Sequence, residues 1–167
     1  MISIVTFAQY DPIDVEQTRS NPPPEFAKLF NFLVRMEGPV KPTWVTLKNG
    51  KRVIGYNDQS YDQSNPANKN AITENMARAR LVMWIETYDK IVTSAVKVPL
   101  TRQQTDALID YLYTTGDVSS FINSQIVRTL NVQKQYNLIP VLLRKSATAD
   151  TRTRREHEVR IWTNGEY

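Results

Sequence analysis

Cysteine is absent from the 167 residues, and histidine occurs once, as His157. Without cysteine there is no disulfide, thiolate metal site or thiol nucleophile, and one imidazole leaves too few ligands for a His-based metal centre. Neither a metal nor a cofactor is expected, and a Ser-His-Asp arrangement is disfavoured, so the catalytic repertoire narrows to carboxylates and hydroxyls. Long apolar runs are missing too: none approaches the roughly 18 residues of a membrane span. No basic run interleaved with aromatics occurs, so no nucleic-acid partner is expected. The first residues, MISIVTFAQYDPID, lack the basic start and small-residue cleavage site of a secretory signal. A protein made in the cytoplasm and acting outside it would then need another route of delivery.

What is present is ordinary for a folded chain: 41% hydrophobic and 23% charged residues. The length predicts one domain with a single hydrophobic centre. Lys and Arg outnumber Asp and Glu by 21 to 17, giving a net charge of +4, a mild bias toward a polyanionic partner such as nucleic acid or bacterial wall.

Residues 1–23 read as an N-terminal arm: an extended piece from Ile2 to Phe7, polar sequence, then the stiff Asn21-Pro22-Pro23-Pro24 that leads into residues 24–167. From there Phe26, Leu29, Phe30 and Leu33 recur at helical spacing, and continuing that stripe by four residues reaches Glu37. Gly38 can adopt a left-handed cap and Pro39 cannot extend the helix, so the helix from about Pro24 stops on a carboxylate at its buried edge. Apolar packing and the negative end of the helix dipole both favour the proton-holding form of such a carboxyl.

In residues 42–57, Asn49-Gly50 is a strong hairpin signal. A two-residue loop there sets Thr46 opposite Val53 and Trp44 opposite Gly55, with Val45, Leu47, Ile54 and Tyr56 forming an apolar face. After a polar loop, Thr73 caps a long helix to about Ala95, with Ala77, Leu81, Trp84, Ile85, Tyr88, Ile91 and Val92 on its apolar side. Thr101 and Gln104 form a capping box for a helix that stops at Gly116, and further helices are predicted at about 120–130, 133–138, 141–145 and 152–162. The order is α+β with helices dominant.

A helix ending in Glu-Gly, a hairpin ending in IGY and a helical remainder resemble the phage-type lysozymes, the endolysins of glycoside hydrolase family 24. Ile72-Thr73-Glu74-Asn75 is similar to that family's "IT..EA" helix start, and LTRQQTDALIDYLYTTG to its "LTqnQfdALvsfaFNiG". Phe121-Ile122-Asn123-Ser124 with Leu130-Asn131, and Arg154-Arg155-Glu156-His157-Glu158 with Trp162, resemble its later motifs, in order over residues 26–167. The resemblance implies a lysozyme-like fold, a small hairpin lobe beside a mainly helical lobe. It also implies cleavage of the β-1,4 bond between N-acetylmuramic acid and N-acetylglucosamine in peptidoglycan strands, with Glu37 at the position of the catalytic acid.

The family pattern E-x8-D-x5-T is not kept. Thr46 stands where the Asp belongs, Val53 aligns with the Thr, and the Gly-His that follows is replaced by Asn57-Asp58. Glycoside hydrolysis ordinarily uses two carboxylates. Three readings stay open: Asp58, or less favourably Asp62, stands in for the second one; Glu37 acts as acid and then base while a substrate group attacks; or the site is inactive and the domain binds wall or builds a virion. In the two enzymatic readings Thr46, aided by Asp58 in the first, marks the water or nucleophile position. Arg154 matches an arginine that approaches the family's glutamate, Tyr56 and Trp44 are candidates for sugar stacking or for packing, and His157 is expected on the surface of the last helix. The resemblance further implies action at the bacterial wall, after release by a holin or as a virion component, the arm being the candidate contact for a virion partner.

Overall fold

The computed structural model describes residues 20–47, 50, 52–58 and 71–167. Residues 1–19 of the arm, Asp62, and Lys48, Asn49 and Lys51 of the hairpin loop lie outside them. Helix α1 (Ala27–Glu37) follows a single 3-10 turn at Pro24–Phe26. The predicted stripe is real, since Phe26, Leu29, Phe30 and Leu33 are all buried, and Phe32 joins them. Gly38 takes φ +72° and ends the helix as expected.

Strands β1 (Lys41–Thr46) and β2 (Arg52–Gly55) form a two-stranded antiparallel sheet. Its register differs from the predicted one: Val45 pairs with Val53 and Thr46 with Arg52. Thr46 and Arg52 are the last described pair before the turn, within which Gly50 N donates to Leu47 O at 2.9 Å and Gly50 lies at φ +81°; the burial of β2 selects this register. A slip of one residue moves every side chain to the other face. Val45 is 40% exposed although its partner Val53 is fully buried, and Val53, Ile54, Gly55 and Tyr56 are buried in succession, so the apolar face expected from alternation does not form. Farther along, Lys41 pairs with Gly55, and residues 42–44 oppose Ile54 alone. Pro42 sits in this irregular stretch, where its missing N–H is tolerated, and its carbonyl accepts from Ile72 N at 2.8 Å.

Helix α2 (Glu74–Ala95) is capped by Thr73, whose Oγ1 accepts from Met76 N at 3.1 Å. Helix α3 (Arg102–Thr115) has the predicted capping box, and Gly116 ends it at φ +68°. The single helix expected over 120–130 is two short ones, α4 (Val118–Ile122) and α5 (Gln125–Arg128), because Ser124 leaves the helical conformation and its hydroxyl accepts from Val127 N. A π turn at Thr129–Gln133 and a 3-10 turn at Tyr136–Leu138 replace the helix expected at 133–138. Helices α6 (Ile139–Lys145) and α7 (Arg152–Asn164) complete the chain.

Where length predicts a single hydrophobic centre, the chain divides into two compact units, with boundaries inside α1 and α2. The first contains the hairpin, with Val53, Ile54, Tyr56, Ile72, Ala77, Leu81 and Val82 buried. The second contains α3 to α7, where α7 packs on α3 and α6 around Leu108, Leu112, Leu143, Ile161 and Trp162. Against the expectation of a surface position, His157 is half-buried there, its ring edge-on to Phe32 at 5.8 Å. The architecture is α+β with a small antiparallel hairpin and a lysozyme-like order of elements.

Candidate active site

Glu37 occupies the last position of α1 and is half-buried. Because Gly38 turns the backbone left-handed, β1 starts close by, and Lys41 Nζ donates to the Glu37 carbonyl at 3.4 Å. That carbonyl is among those a helix end leaves unpaired, so a lysine there both fills it and suits the dipole.

The second approach to Glu37 comes from the loop after β2. Ile54 and Asp58 exchange two backbone hydrogen bonds, Ile54 N to Asp58 O at 3.1 Å and Asp58 N to Ile54 O at 2.9 Å. Closing the chain over so few residues requires positive φ at two of them, Gly55 at +60° and Asn57 at +60°. Asn57 presents its amide to Glu37, Nδ2 donating to Oε2. Its other end, Oδ1, is buried without a hydrogen-bond partner among the described residues.

Asp58, the sequence candidate for a second carboxylate, is buried, its Oδ2 accepting from Arg80 Nε of α2 at 2.6 Å. Tyr56 is also buried, at 4% exposure; burial raises its hydroxyl above its ordinary range, Glu74 adds to this, and Arg78 opposes it by charge and a hydrogen bond. Arg78 Nε also donates to Ser20 O at 3.1 Å, tying down the described end of the arm. Trp44 is half-buried beneath the Arg52 guanidinium, 5.4 Å from its ring centre. Thr46 is exposed, opposite Arg52.

In the second unit, Arg154 makes a paired contact with the fully buried Asp110, Nε at 3.0 Å and Nη2 at 2.5 Å from Oδ1, and lies 5.8 Å from the centre of the Tyr113 ring. Arg155, its neighbour, binds Glu158 and covers the Tyr111 ring at 4.4 Å. Among the described residues no cluster of His, Asp and Glu could hold a metal ion, and no helix is long and apolar enough to cross a membrane.

Of the residues named from sequence, Glu37 stands next to Asn57, whose place as its partner has a signal in the sequence. Where similar sequences carry glycine, the backbone needs φ above zero, and asparagine is the side chain that best tolerates it. The Asp58–Arg80 pair, 22 residues apart, has no such signal in spacing.

A family model described as phage lysozyme matches residues 35–160. No curated protein matches the chain by sequence. Among solved structures, the muramidase domain of SpmX from Asticaccaulis excentricus is 20% identical with a TM-score of 0.68, over 82% of this chain and 95% of that one. An endolysin from Escherichia coli phage FAHEc1 is 19% identical with a TM-score of 0.68, over 90% and 98%. A variant of P22 lysozyme is 22% identical with a TM-score of 0.63, over 81% and 95%.

Proposed function

The chain belongs to the phage lysozyme family, and from that premise we propose that it cleaves the β-1,4 bond between N-acetylmuramic acid and N-acetylglucosamine in peptidoglycan, with Glu37 as the general acid. The observation that carries this reading is the meeting of the Glu37 carboxyl, at the end of α1, with the Asn57 amide from the loop after β2. A carboxyl with a hydrogen-bonded partner on a second element is a held group, not a solvated side chain at a frayed helix end.

The engagement of Asp58 with Arg80 supports the route in which Glu37 works alone. Glu37 gives its proton to the glycosidic oxygen as the bond from C1 breaks, and the carbonyl oxygen of the 2-acetamido group bonds to C1. Water then adds at C1, its proton passing to the Glu37 carboxylate as the bond from the acetamido oxygen breaks. No second protein carboxylate is consumed. Thr46, exposed on β1, is the candidate to hold that water, buried Tyr56 is assigned to packing, and Arg154, in the second unit, is engaged with Asp110. The same chemistry with a sugar 6-hydroxyl in place of water gives a transglycosylase.

Wild type and Glu37→Gln are compared for clearing of purified wall suspension. Clearing by wild type and a loss of about 100-fold or more in the variant are expected for a missing general acid. An inert wild type, or a variant as active as wild type, overturns the reading. Wild type that is inert yet sediments with the wall points instead to a wall-binding or virion domain on this scaffold, and is also the result to check against the arm's contact with a virion partner.

A further inference from the structure

We infer that Asn57 is a positioning residue that serves the Glu37 carboxyl in both of its proton states, donating from Nδ2 to the carboxylate and, with the amide turned over, accepting at Oδ1 from the carboxylic acid. The inference rests on the proposed role of Glu37, which must lose a proton in one half of the reaction and regain it in the other. Most partners suit only one half. A guanidinium or ammonium only donates and favours the carboxylate throughout, whereas a second carboxylate only accepts and favours the acid. A primary amide carries a donor and an acceptor on one planar group, and a half-turn about its last side-chain bond exchanges them.

Three observations place such a switch at Asn57. Its Cα is fixed, because the paired backbone bonds between Ile54 and Asp58, at 3.1 and 2.9 Å, close the loop on either side of it. One end of the amide reaches Glu37 Oε2. The other end, Oδ1, has no partner among the described residues, so no second bond holds the amide in one orientation. A purely structural buried amide is ordinarily bonded at both ends. Here Glu37 satisfies one end in either orientation and the other is left over in both, and the proton on Glu37 decides which.

Several charged groups of the same unit have described partners of their own. Lys41 donates to the Glu37 backbone carbonyl, Asp58 is held by Arg80, and Arg78 lies against Tyr56 with Glu74 nearby.

The test reads the pair directly. In the full chain, the Glu37 side-chain carboxyl and the Asn57 side-chain amide are followed by NMR across pH. The expected result is one step in the Asn57 amide resonances at the midpoint of the Glu37 carboxyl. An amide that stays flat through that midpoint overturns the inference, whether or not the protein clears wall. Two variants extend the test to activity, since glycine and aspartate both tolerate the left-handed backbone at this position. Asn57→Gly is expected to lower kcat on peptidoglycan about 10-fold or more while melting near wild type. Asn57→Asp, which sets two carboxyls around one proton, is expected to move the alkaline limb of the pH profile up by about one unit. Wild-type kcat and an unmoved profile in both variants would also sink the inference. An inert wild type counts against the lysozyme reading instead, and the NMR titration then decides on the pair alone.

Discussion

Asp58, in the loop that carries Asn57, accepts a 2.6 Å hydrogen bond from Arg80 Nε, and the two side chains are 5% and 17% exposed. An ion pair so enclosed fixes the loop after β2 to α2. Removing the cation takes this partner from a buried carboxylate, so Arg80→Met is expected to cost about 2–4 kcal/mol in unfolding free energy. Asp58→Asn keeps an acceptor for Arg80 and should cost less, about 1–2 kcal/mol. Thermal melting measures both. Wall clearing by folded Asp58→Asn is expected to persist, and its loss at unchanged melting temperature would return Asp58 to the role of second carboxylate.

Gly55 carries two separate demands. Its φ is +60°, and a Cβ there would lie 3.2 Å from Ala77 Cβ and 3.2 Å from Ile72 Cδ1. Gly55→Ala therefore combines left-handed strain with displacement of the start of α2, and is expected to cost about 2–3 kcal/mol. Gly50, at φ +81° with nothing within 4 Å of a built Cβ, supplies the control. Gly50→Ala should cost only the backbone strain, about 1–2 kcal/mol. Denaturant midpoints of the two variants separate steric from conformational cost, and equal losses would show that α2 yields without resistance.

Helices and their ends were legible in the sequence because the signals are local. The stripe Phe26, Leu29, Phe30, Leu33, the Gly38 stop, and the Thr101–Gln104 box each depend on residues within two turns of one another. The hairpin was legible as a hairpin but not in register. Gly50 permits either of two loop lengths, and the choice is made by the burial of β2 and by the contact of Gly55 with α2, neither of which alternation can report. Ser124 was a cap signal inside an apolar pattern, and the pattern hid it. At the candidate site, the position of Glu37 followed from helix spacing and from resemblance. Its contact with Asn57 depends on a backbone turn closed across the sheet, and the commitment of Asp58 depends on an arginine 22 residues on. Such pairings are set by the tertiary structure.

Tyr167 reaches back from beyond α7, its hydroxyl donating to the buried Asp106, which also binds Arg102. Burial, reinforced by Asp106, pushes that hydroxyl above its ordinary range, so it is a neutral donor throughout the working pH. Burial likewise raises Asp106, while Tyr167 and Arg102 pull it down. Tyr167→Phe removes one of those two supports and leaves the ring contact with Phe32 in place. An expected loss of about 1–2 kcal/mol reflects the hydrogen bond alone. Calorimetry of the variant checks it, and a melting temperature equal to wild type would mean that Arg102 suffices for Asp106.

Glu158 gives the protein a pH dependence of opposite sign to the usual carboxylate. Burial first, and Asp110 second, push its carboxyl well above the ordinary value of 4.5, against the pull of Arg155 and Arg154. In the folded chain Glu158 therefore keeps a proton that the unfolded chain releases near 4.5. At this group the folded state binds more protons over that interval, so the stability contributed by Glu158 is fully present below about 4.5 and is lost as pH rises through the folded midpoint. Glu158→Gln has no proton to lose. Asp106 is raised in both proteins and cancels in the comparison. The unfolding free energy of the variant minus that of wild type is thus expected to climb with pH above 4.5, with a slope approaching about 1.4 kcal/mol per pH unit before it levels off. Denaturant titrations at closely spaced pH values measure that difference, and a flat curve would place the Glu158 proton in solvent at neutral pH, with Arg155 holding the carboxylate.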